Sequence, residues 1–375
     1  MKNPGMTTEK TENGRKPRCY ICKEPNPIVH DHYTRLCRAC GEFNEMKRTA
    51  VHRLDAFTAL VTGGRTKIGY HTALRLLRDG ARVILTTRFP YDALQRYIQE
   101  PDFDHWKDRI HIYGLDFRQI ERVERFAHYI DQEFPYIDII INNAAQTVRM
   151  TPEEYETLTL QEAKLQNQLS GGEERLRLPD GMVLPRIALQ IGSEEAAKPP
   201  IPQMLEPESS PALSVSQLQN SWTAESHQIS VMEMLEVQLI NVTAPFLINT
   251  KLKEAMMRSP HRNRFIVNVS AAEGRFQTKR KGGYHVHTNM AKASLNMMTL
   301  TMSKEYKKER IFMTSVDPGW VSNQFPEKVQ TRKAIELPLD FEDAAARICD
   351  PIYEGKDADR PWTGVFLKDY RPVDW

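Results

Sequence analysis

The sequence predicts an α/β protein built on a doubly wound parallel sheet, with a small N-terminal metal module and a long insertion after the fourth strand. From Phe57 onward, short apolar runs alternate with amphipathic stretches of helical period. The run IDIIIN at 137–142 is apolar almost throughout, as in a strand that is buried on both faces. Alternation at this spacing implies βαβ units with right-handed crossovers.

Each element is placed by its own pattern. The predicted strands, each a short apolar run, are 59–61, 82–86, 109–113, 137–142, 265–269, 311–316 and 364–368. The predicted helices are 69–78, 91–99, 119–132, 230–254, 289–307 and 342–353. Asp79-Gly80 is a helix stop, and 49–57 is a connector or a lead-in strand. The insertion, 147–228, contains helical pieces and a Pro/Ser/Glu/Ala-dense stretch at 193–216, so we expect partial disorder there.

Composition restricts the class of protein. The chain has 375 residues, 40% hydrophobic and 27% charged, with a net charge of +2. That balance is typical of a globular protein and excludes a strongly basic nucleic-acid coat. Apolar runs such as 139–141 are too short to span a bilayer, and the N-terminus lacks the apolar core of a secretory signal. We therefore expect a cytoplasmic protein with no membrane partner.

Four of the five cysteines form two CxxC pairs, Cys19/Cys22 and Cys37/Cys40, which are separated by fourteen residues. This spacing predicts a tetrahedral zinc site with four thiolates and no open position, hence a structural site. His30 and His32 lie between the pairs, and we interpret them as loop residues. Residues 1–50 carry ten Lys/Arg and six Asp/Glu, but no basic run or recognition helix. The module is therefore expected to dock within the chain or to contact a protein rather than nucleic acid.

The organisation that follows has three parts. Residues 1–17 are polar and aperiodic and are predicted to be disordered, 18–48 form the zinc module, and 49–375 form the Rossmann-type domain. A module of about 30 residues buries too little apolar surface to fold alone, so zinc is expected to supply its stability.

The segment ALVTGGRTKIG at 59–69 is a strand, a glycine turn and a helix start, the setting in which glycines admit a pyrophosphate to a helix N-terminus. The second strand ends in Thr87-Arg88 rather than in an acidic residue. A hydroxyl and a guanidinium suit a ribose 2′-phosphate, which favours NADP(H) over NAD(H). Arg65 and Lys67 add positive charge to the turn, or are solvated loop cations.

At this point the chain resembles the short-chain dehydrogenase/reductase family over 57–325. The motifs that carry the resemblance are the glycine turn, an aspartate after strand three, the NNAA turn, a mid-helix asparagine and a late Pro-Gly pair. The resemblance implies a cofactor site made by Thr62, Gly63, Gly64, Arg65, Lys67, Ile68, Gly69, Thr87, Arg88, Asp116, Asn143, Ala144, Lys292, Pro318, Gly319 and Val321. It also implies small-molecule substrates and, through helices 230–254 and 289–307, a homo-oligomer.

The family's catalytic pattern is broken in this chain. The family uses a tyrosine acid, a lysine four residues later, a serine that holds the substrate oxygen and an asparagine that orders a water. Lys292 and Asn241 match, but Thr288 stands in the place of the tyrosine. Ala271 stands in the place of the serine, with Ser270 one residue early. An aliphatic hydroxyl is far less acidic than a phenol, so Thr288 cannot simply replace the acid.

Nearby residues could supply the missing acid. Tyr284 lies four residues before Thr288, on the same helix face if the helix has begun, and His287 is the second choice. Both could instead be packing or solvent groups. Two further departures are Lys67 in place of the middle glycine, where it crowds or ion-pairs a phosphate, and Ala145 at the end of the NNAA turn.

Two functions remain open from the sequence. The first is an NADP(H)-dependent oxidoreductase with an unusual acid, resting on the nucleotide site, Asn241 and Lys292. The second is an NADP(H)-binding sensor or scaffold without turnover, whose zinc module binds a partner, resting on Thr288 and Ala271. Trp222 and Trp320 are candidate lid or pocket residues, or core aromatics.

Overall fold

The fold is taken from a computed structural model, which describes residues 18–25, 28–170, 220–278, 281–325 and 336–375. Strands of the described chain form one sheet in the order β3-β2-β1-β4-β5-β6-β7-β8. Their bounds are β1 Thr58–Thr62, β2 Arg82–Thr87, β3 Ile110–Gly114, β4 Ile139–Asn142, β5 Arg264–Val269, β6 Ile311–Asp317, β7 Val365–Lys368 and β8 Arg371–Val373. The predicted disorder at 1–17 and most of the insertion lie outside the described residues.

The α-helices within the described ranges cover both faces of this sheet. Their bounds are α1 Arg38–Thr49, α2 Lys67–Arg78, α3 Pro90–Ile98, α4 Ile120–Glu133, α5 Pro152–Ser170, α6 Val231–Gln238, α7 Ala244–Lys251, α8 Lys253–Met257, α9 Val286–Tyr306 and α10 Phe341–Gly355. On one face, buried residues such as Leu74 of α2 and Ile348 of α10 form one apolar cluster. On the other, Val123 of α4 and Ile248 of α7 form a second cluster. The doubly wound prediction is confirmed.

The register of the parallel strands places buried residues beside one another. Leu60 of β1 pairs with Ile84 of β2 on one side and with Ile140 of β4 on the other, all in parallel. All five residues of β1 and all four of β4 are buried, because helices cover both faces. The last strand, β8, pairs antiparallel with β7 and was not predicted from the sequence. Its three residues, Arg-Pro-Val, are too few to show a strand pattern, and the strand forms by pairing at the edge of the sheet.

The predicted helix over 230–254 is interrupted. A π-helical turn, Leu239–Thr243, separates α6 from α7, and Asn241 lies within it. Such turns often occur at functional sites, because the extra residue redirects side chains. By length and composition alone, Val231–Lys251 could also cross a membrane. That is weak evidence, since a core helix of a soluble protein passes the same test, and α7 packs on α4 in this fold.

The cysteine module is docked on the sheet domain through α1 and α10. Lys47 bonds Asp350 and Glu354 at 2.7 Å each, and Arg48 bonds Asp340 at 2.6 Å. The division expected at residues 48/49 falls in the last turn of α1, because this helix ends only at Thr49. Residues 50–57 form a connector without strand structure. In this fold the cysteine module is therefore docked on the sheet domain of its own chain.

Candidate functional site

A cleft of about 600 Å³ opens where the first four strands end. The carboxyl ends of parallel strands are where open α/β sheets bind ligands. The lining residues that the sequence predicted are Gly63, Arg65, Lys67, Ile68, Gly69, Thr87, Arg88, Asp116, Asn143 and Ala144. The catalytic candidates Lys292, Asn241, Tyr284, Thr288 and Ser270 are not among the residues that line this cleft.

The glycines of the turn allow its backbone to pack directly against the end of β4. Gly63 has a φ of +69°, and a Cβ there would lie 2.9 Å from the Ala144 Cα. A Cβ on Gly69 would lie 2.3 Å from the Gly63 carbonyl oxygen. The Thr62 hydroxyl accepts bonds from the Asn143 and Ala144 amides at 3.0 Å each. The turn is thus fixed to the end of β4, with no side chain between them.

Lys67 begins α2 with a φ of +55°, in the left-handed region that favours glycine. Its side chain is exposed at the cleft, where an ammonium group can reach an anion. Arg65 is already engaged, since it pairs with Asp92 at 2.7 Å. Of the two turn cations, Lys67 is therefore the one without an ion pair to another described residue.

At the end of β2, Arg88 forms no ion pair with any described residue, and partial burial lowers its pKa. Its guanidinium lies 5.9 Å from the centre of the Tyr155 ring, and that of Arg118 lies 5.4 Å from the same centre. Burial acts to raise the pKa of Asp116, but its bond to Arg118, as short as 2.5 Å, lowers it below the usual value. Arg88 is thus a desolvated cation facing the cleft, and the carboxylate that attracts it, Asp116, is already paired with Arg118.

Tyr155 and Arg118 were not predicted from the sequence. Tyr155 lies on α5, within the insertion, where no motif indicates a role. The helix is held by Glu162, which accepts the Tyr91 and Asp92 amides of α3 at 2.7 and 3.0 Å. A carboxylate at a helix N-terminus is favourable. Helix α5 therefore borders the cleft near Arg88, and its Glu154 lines it.

Lys292 of α9 is buried and donates a 2.7 Å bond to the Val269 carbonyl. Burial lowers its pKa to about 8, within reach of a working pH. Asn241, also buried, accepts the Gln146 amide at 2.8 Å and donates to the Gln146 carbonyl at 3.1 Å. Gln146 lines the cleft, so Asn241 fixes the backbone at its edge.

The candidate acids have different environments. Helix α9 begins at Val286 after a left-handed His285, so Tyr284 precedes the helix and the premise that it shares a helix face with Thr288 is wrong. Its ring is half-exposed. His287 and Thr288 are buried, and their polar side-chain atoms lack hydrogen bonds to described residues. Burial lowers the pKa of His287, whose Nε2 lies 3.7 Å from Glu233.

The loop after β6 borders the opposite side of the cleft. Gly319 has a φ of +89°, and its amide donates to Asp317 at 2.9 Å. Ser322 lines the cleft, whereas the Val321 side chain is buried against the cysteine module. Trp320 is partly exposed, and Trp222 stacks on His285 with ring centres 3.9 Å apart.

The four clustered cysteines converge as predicted. Their sulfur atoms all lie within 4.8 Å of one another, a donor set that suits a tetrahedral zinc ion. Burial acts to raise the pKa of Cys19, but backbone hydrogen bonds, that of the Cys37 amide first, lower it to about 7. Burial and the neighbouring sulfurs raise the pKa of Cys40. A cation would stabilise all four thiolates together.

Comparison with known proteins agrees with this geometry. The family profile described as short chain dehydrogenase matches residues 57–167 and 217–334. An uncharacterized protein of Acanthamoeba polyphaga mimivirus is 32% identical over 353 residues, which cover 89% of this chain and 71% of that protein. Retinol dehydrogenase 13 of Homo sapiens is 36% identical over 89 residues, 23% of this chain and 26% of that protein.

Solved structures share the fold at low sequence identity. A short chain dehydrogenase from Burkholderia cenocepacia, in complex with NADP, has a TM-score of 0.55 at 16% identity, covering 84% of this chain and 97% of that one. An NADPH-bound carbonyl reductase from chicken fatty liver has a TM-score of 0.54 at 17% identity, covering 86% of this chain and 100% of that one.

Proposed function

Because the chain belongs to the short-chain dehydrogenase family, we propose that it is an NADP(H)-dependent oxidoreductase acting on a carbonyl or alcohol with a non-standard general acid. The observation that carries the cofactor assignment is Arg88, a partly buried guanidinium at the cleft that forms no ion pair with a described residue. A 2′-phosphate would neutralise it through charge-assisted bonds, with Thr87 beside it. An NAD(H) site would instead place a carboxylate at this strand end.

The chain fits the rest of the dinucleotide. A pyrophosphate would bind at the N-terminus of α2, where Gly63 and Lys67 line the cleft and where backbone amides and the Lys67 ammonium would hold it. Bound NADPH would supply the hydride. Lys292 would bind the nicotinamide ribose and, with its pKa near 8, assist proton movement at the substrate oxygen.

The acid is the unusual part of the proposal. Tyr284 remains the first choice, because its phenol is half-exposed and the short segment before α9 carries it. His287 is the second choice, since it is buried with unbonded nitrogens close to Glu233. Its proton-donating form would be the imidazolium, which burial disfavours by lowering the pKa, so His287 ranks below Tyr284.

A second candidate function is NADP(H) binding without turnover. Ala271 has no hydroxyl, and the hydroxyl of Ser270 is bonded to Asn296 at 2.6 Å. The cleft would then act as a sensor of the cofactor, and the zinc module would contact a partner protein. Its outward surface, with Ile28 and Val29 about half-exposed, is the part free for such contact.

Zinc, assembly and location complete the proposal. One structural zinc would be held by Cys19, Cys22, Cys37 and Cys40. A homo-oligomer would form through α6 and α9, which expose Met232, Leu235 and Met297 on their outer faces. A cytoplasmic location would keep the thiols reduced and available for the metal.

The test is a titration of purified full-length protein with NADPH and NADH, followed by a carbonyl panel with NADPH oxidation read by absorbance. Saturable binding that favours NADPH and loss of NADPH with at least one carbonyl are the expected results. Binding without oxidation over a broad panel would favour the sensor. No saturable NADPH binding by zinc-loaded protein would overturn both functions.

A further inference from the structure

The phenol of Tyr20, in the first cysteine pair, accepts a 3.0 Å hydrogen bond from the Trp320 amide. Trp320 follows Gly319 in the loop that borders the cleft. We propose that the zinc module supports the loop after β6, which borders the NADP(H) site, so that zinc and NADP(H) binding stabilise each other, with Tyr20 as the positioning residue. This inference rests on the proposed function.

The loop amides are held by two fixed acceptors. Gly319 donates to Asp317 at 2.9 Å, inside the sheet domain, and the next amide, that of Trp320, donates to Tyr20, in the module. Asp317 is itself fixed by a 2.5 Å ion pair with Lys368. Arg35 of the module also lies 5.7 Å from the centre of the Trp320 ring. Removing the module therefore leaves one of these two acceptors.

Apolar contacts continue the connection to the cleft. Cys19 is 1% exposed and belongs to one cluster with Leu36, Val321 and Leu339. Ile68 packs against the same cluster and also lines the cleft. Since a packed interior transmits small displacements, a shift of Cys19 can reach the first turn of α2 through this cluster.

Of the side chains that contact the loop, Tyr20 is the one whose position the metal would fix most directly. Tyr20 follows Cys19 immediately and lies between two of the expected ligands, and its amide donates to the Arg35 carbonyl at 2.9 Å. The module offers few buried apolar side chains of its own, so its fold depends on the ion. Without zinc, the phenol loses its defined place and the Trp320 amide loses its acceptor.

The sheet determines which part of the cofactor this affects. Arg88 follows β2 and Trp320 follows β6, four strands away in the sheet order. At about 4.8 Å per strand, the two lie roughly 19 Å apart. A dinucleotide with its 2′-phosphate on Arg88 therefore presents its far, nicotinamide half to the loop that Tyr20 holds. Loss of the Tyr20 hydrogen bond alone should therefore leave the adenosine half, bound at Arg88, unaffected.

Calorimetric titration of the zinc-loaded, full-length protein tests this. Two probes are used: NADPH, and adenosine 2′,5′-bisphosphate, which lacks the nicotinamide half. Tyr20→Phe should raise the NADPH Kd about 3- to 10-fold, the worth of one net hydrogen bond, and leave the bisphosphate Kd within about twofold. The matched control is Tyr136→Phe, which removes one phenol bond, to the Ala56 carbonyl, outside the module.

Linkage gives a second readout on the unmodified protein. If zinc tightens NADPH binding, NADPH must tighten zinc binding by the same factor. Zinc affinity, measured by competition with a chromogenic chelator, should therefore rise more with saturating NADPH than with the saturating bisphosphate. NADPH binding that is equal in Tyr20→Phe and wild type, with unchanged zinc affinity, contradicts this inference alone. No NADPH binding by the wild type contradicts the proposed function and this inference with it.

Discussion

The Ser270 hydroxyl donates a 2.6 Å hydrogen bond to Asn296, and both side chains are buried. The Asn296 amide in turn donates to the Gly274 carbonyl at 3.1 Å, so this pair ties the end of β5 to α9. Ser270 therefore has a structural bond in this fold. The adjacent position, where the family has its serine, is Ala271.

Replacing Ser270 by alanine should lower the free energy of unfolding by about 1–3 kcal/mol, because the Asn296 oxygen is left without a donor. NADPH affinity and turnover should stay within about twofold. Urea unfolding and steady-state rates measure both effects. Ser303→Ala, which loses only a bond within its own helix, is the control. A large loss of turnover at unchanged stability would instead show that Ser270 binds the substrate.

Replacing Lys67 by glycine separates two effects at the turn. The left-handed φ of +55° is strained for lysine, so Lys67→Gly should stabilise the cofactor-free protein by about 1 kcal/mol. It should also weaken NADPH binding if the ammonium binds a phosphate. Thermal unfolding and NADPH titration measure the two separately. Tighter NADPH binding would mean that the side chain crowds the pyrophosphate instead.

The pKa of Lys292 predicts a pH dependence of stability. Burial lowers that pKa from 10.5 to about 8, so between these values the unfolded state binds more protons than the folded state. Unfolding free energy should therefore rise with pH in this window. The unfolding free energy of wild type minus that of Lys292→Met should increase by up to about 3 kcal/mol from pH 8 to 10.5. A difference that is constant with pH would contradict the lowered pKa.

The candidate acids are separated by single substitutions. Tyr284→Phe should reduce turnover by about 100-fold or more if its phenol donates the proton, with NADPH affinity unchanged. His287→Asn tests the second choice in the same assay. Tyr129→Phe, on α4, is a matched phenol control. Full turnover in Tyr284→Phe would remove Tyr284 from the mechanism, and full turnover in both would leave neither as the acid.

Arg88→Ala should weaken NADPH binding by about 10- to 100-fold and change NADH binding by less than about threefold, because only NADPH carries the 2′-phosphate. Titration of both cofactors gives the ratio. Arg360→Ala removes an exposed arginine in the turn after α10 and is the control for charge alone. An equal loss for both cofactors would mean that Arg88 does not bind the extra phosphate.

The sequence by itself determined the seven parallel strands of the sheet, because apolar runs and helical period are local properties of the chain. The glycine turn was also predicted, and Gly63 and Gly69 lie where a Cβ would strike backbone atoms. The cysteine cluster was predicted from spacing alone, since paired CxxC segments leave few arrangements other than convergence. These features depend on residues that are close in the sequence.

Only the tertiary structure decided the contacts between residues that are distant in the sequence. Tyr155 reaches Arg88 and Arg118 from a helix in the insertion, and its own surroundings in the sequence indicate nothing. The Ser270 hydroxyl bonds Asn296, and the Tyr20 phenol accepts the amide of Trp320, 300 positions later in the chain. Such contacts arise when packed elements bring side chains together, and no local pattern encodes which partner each will find.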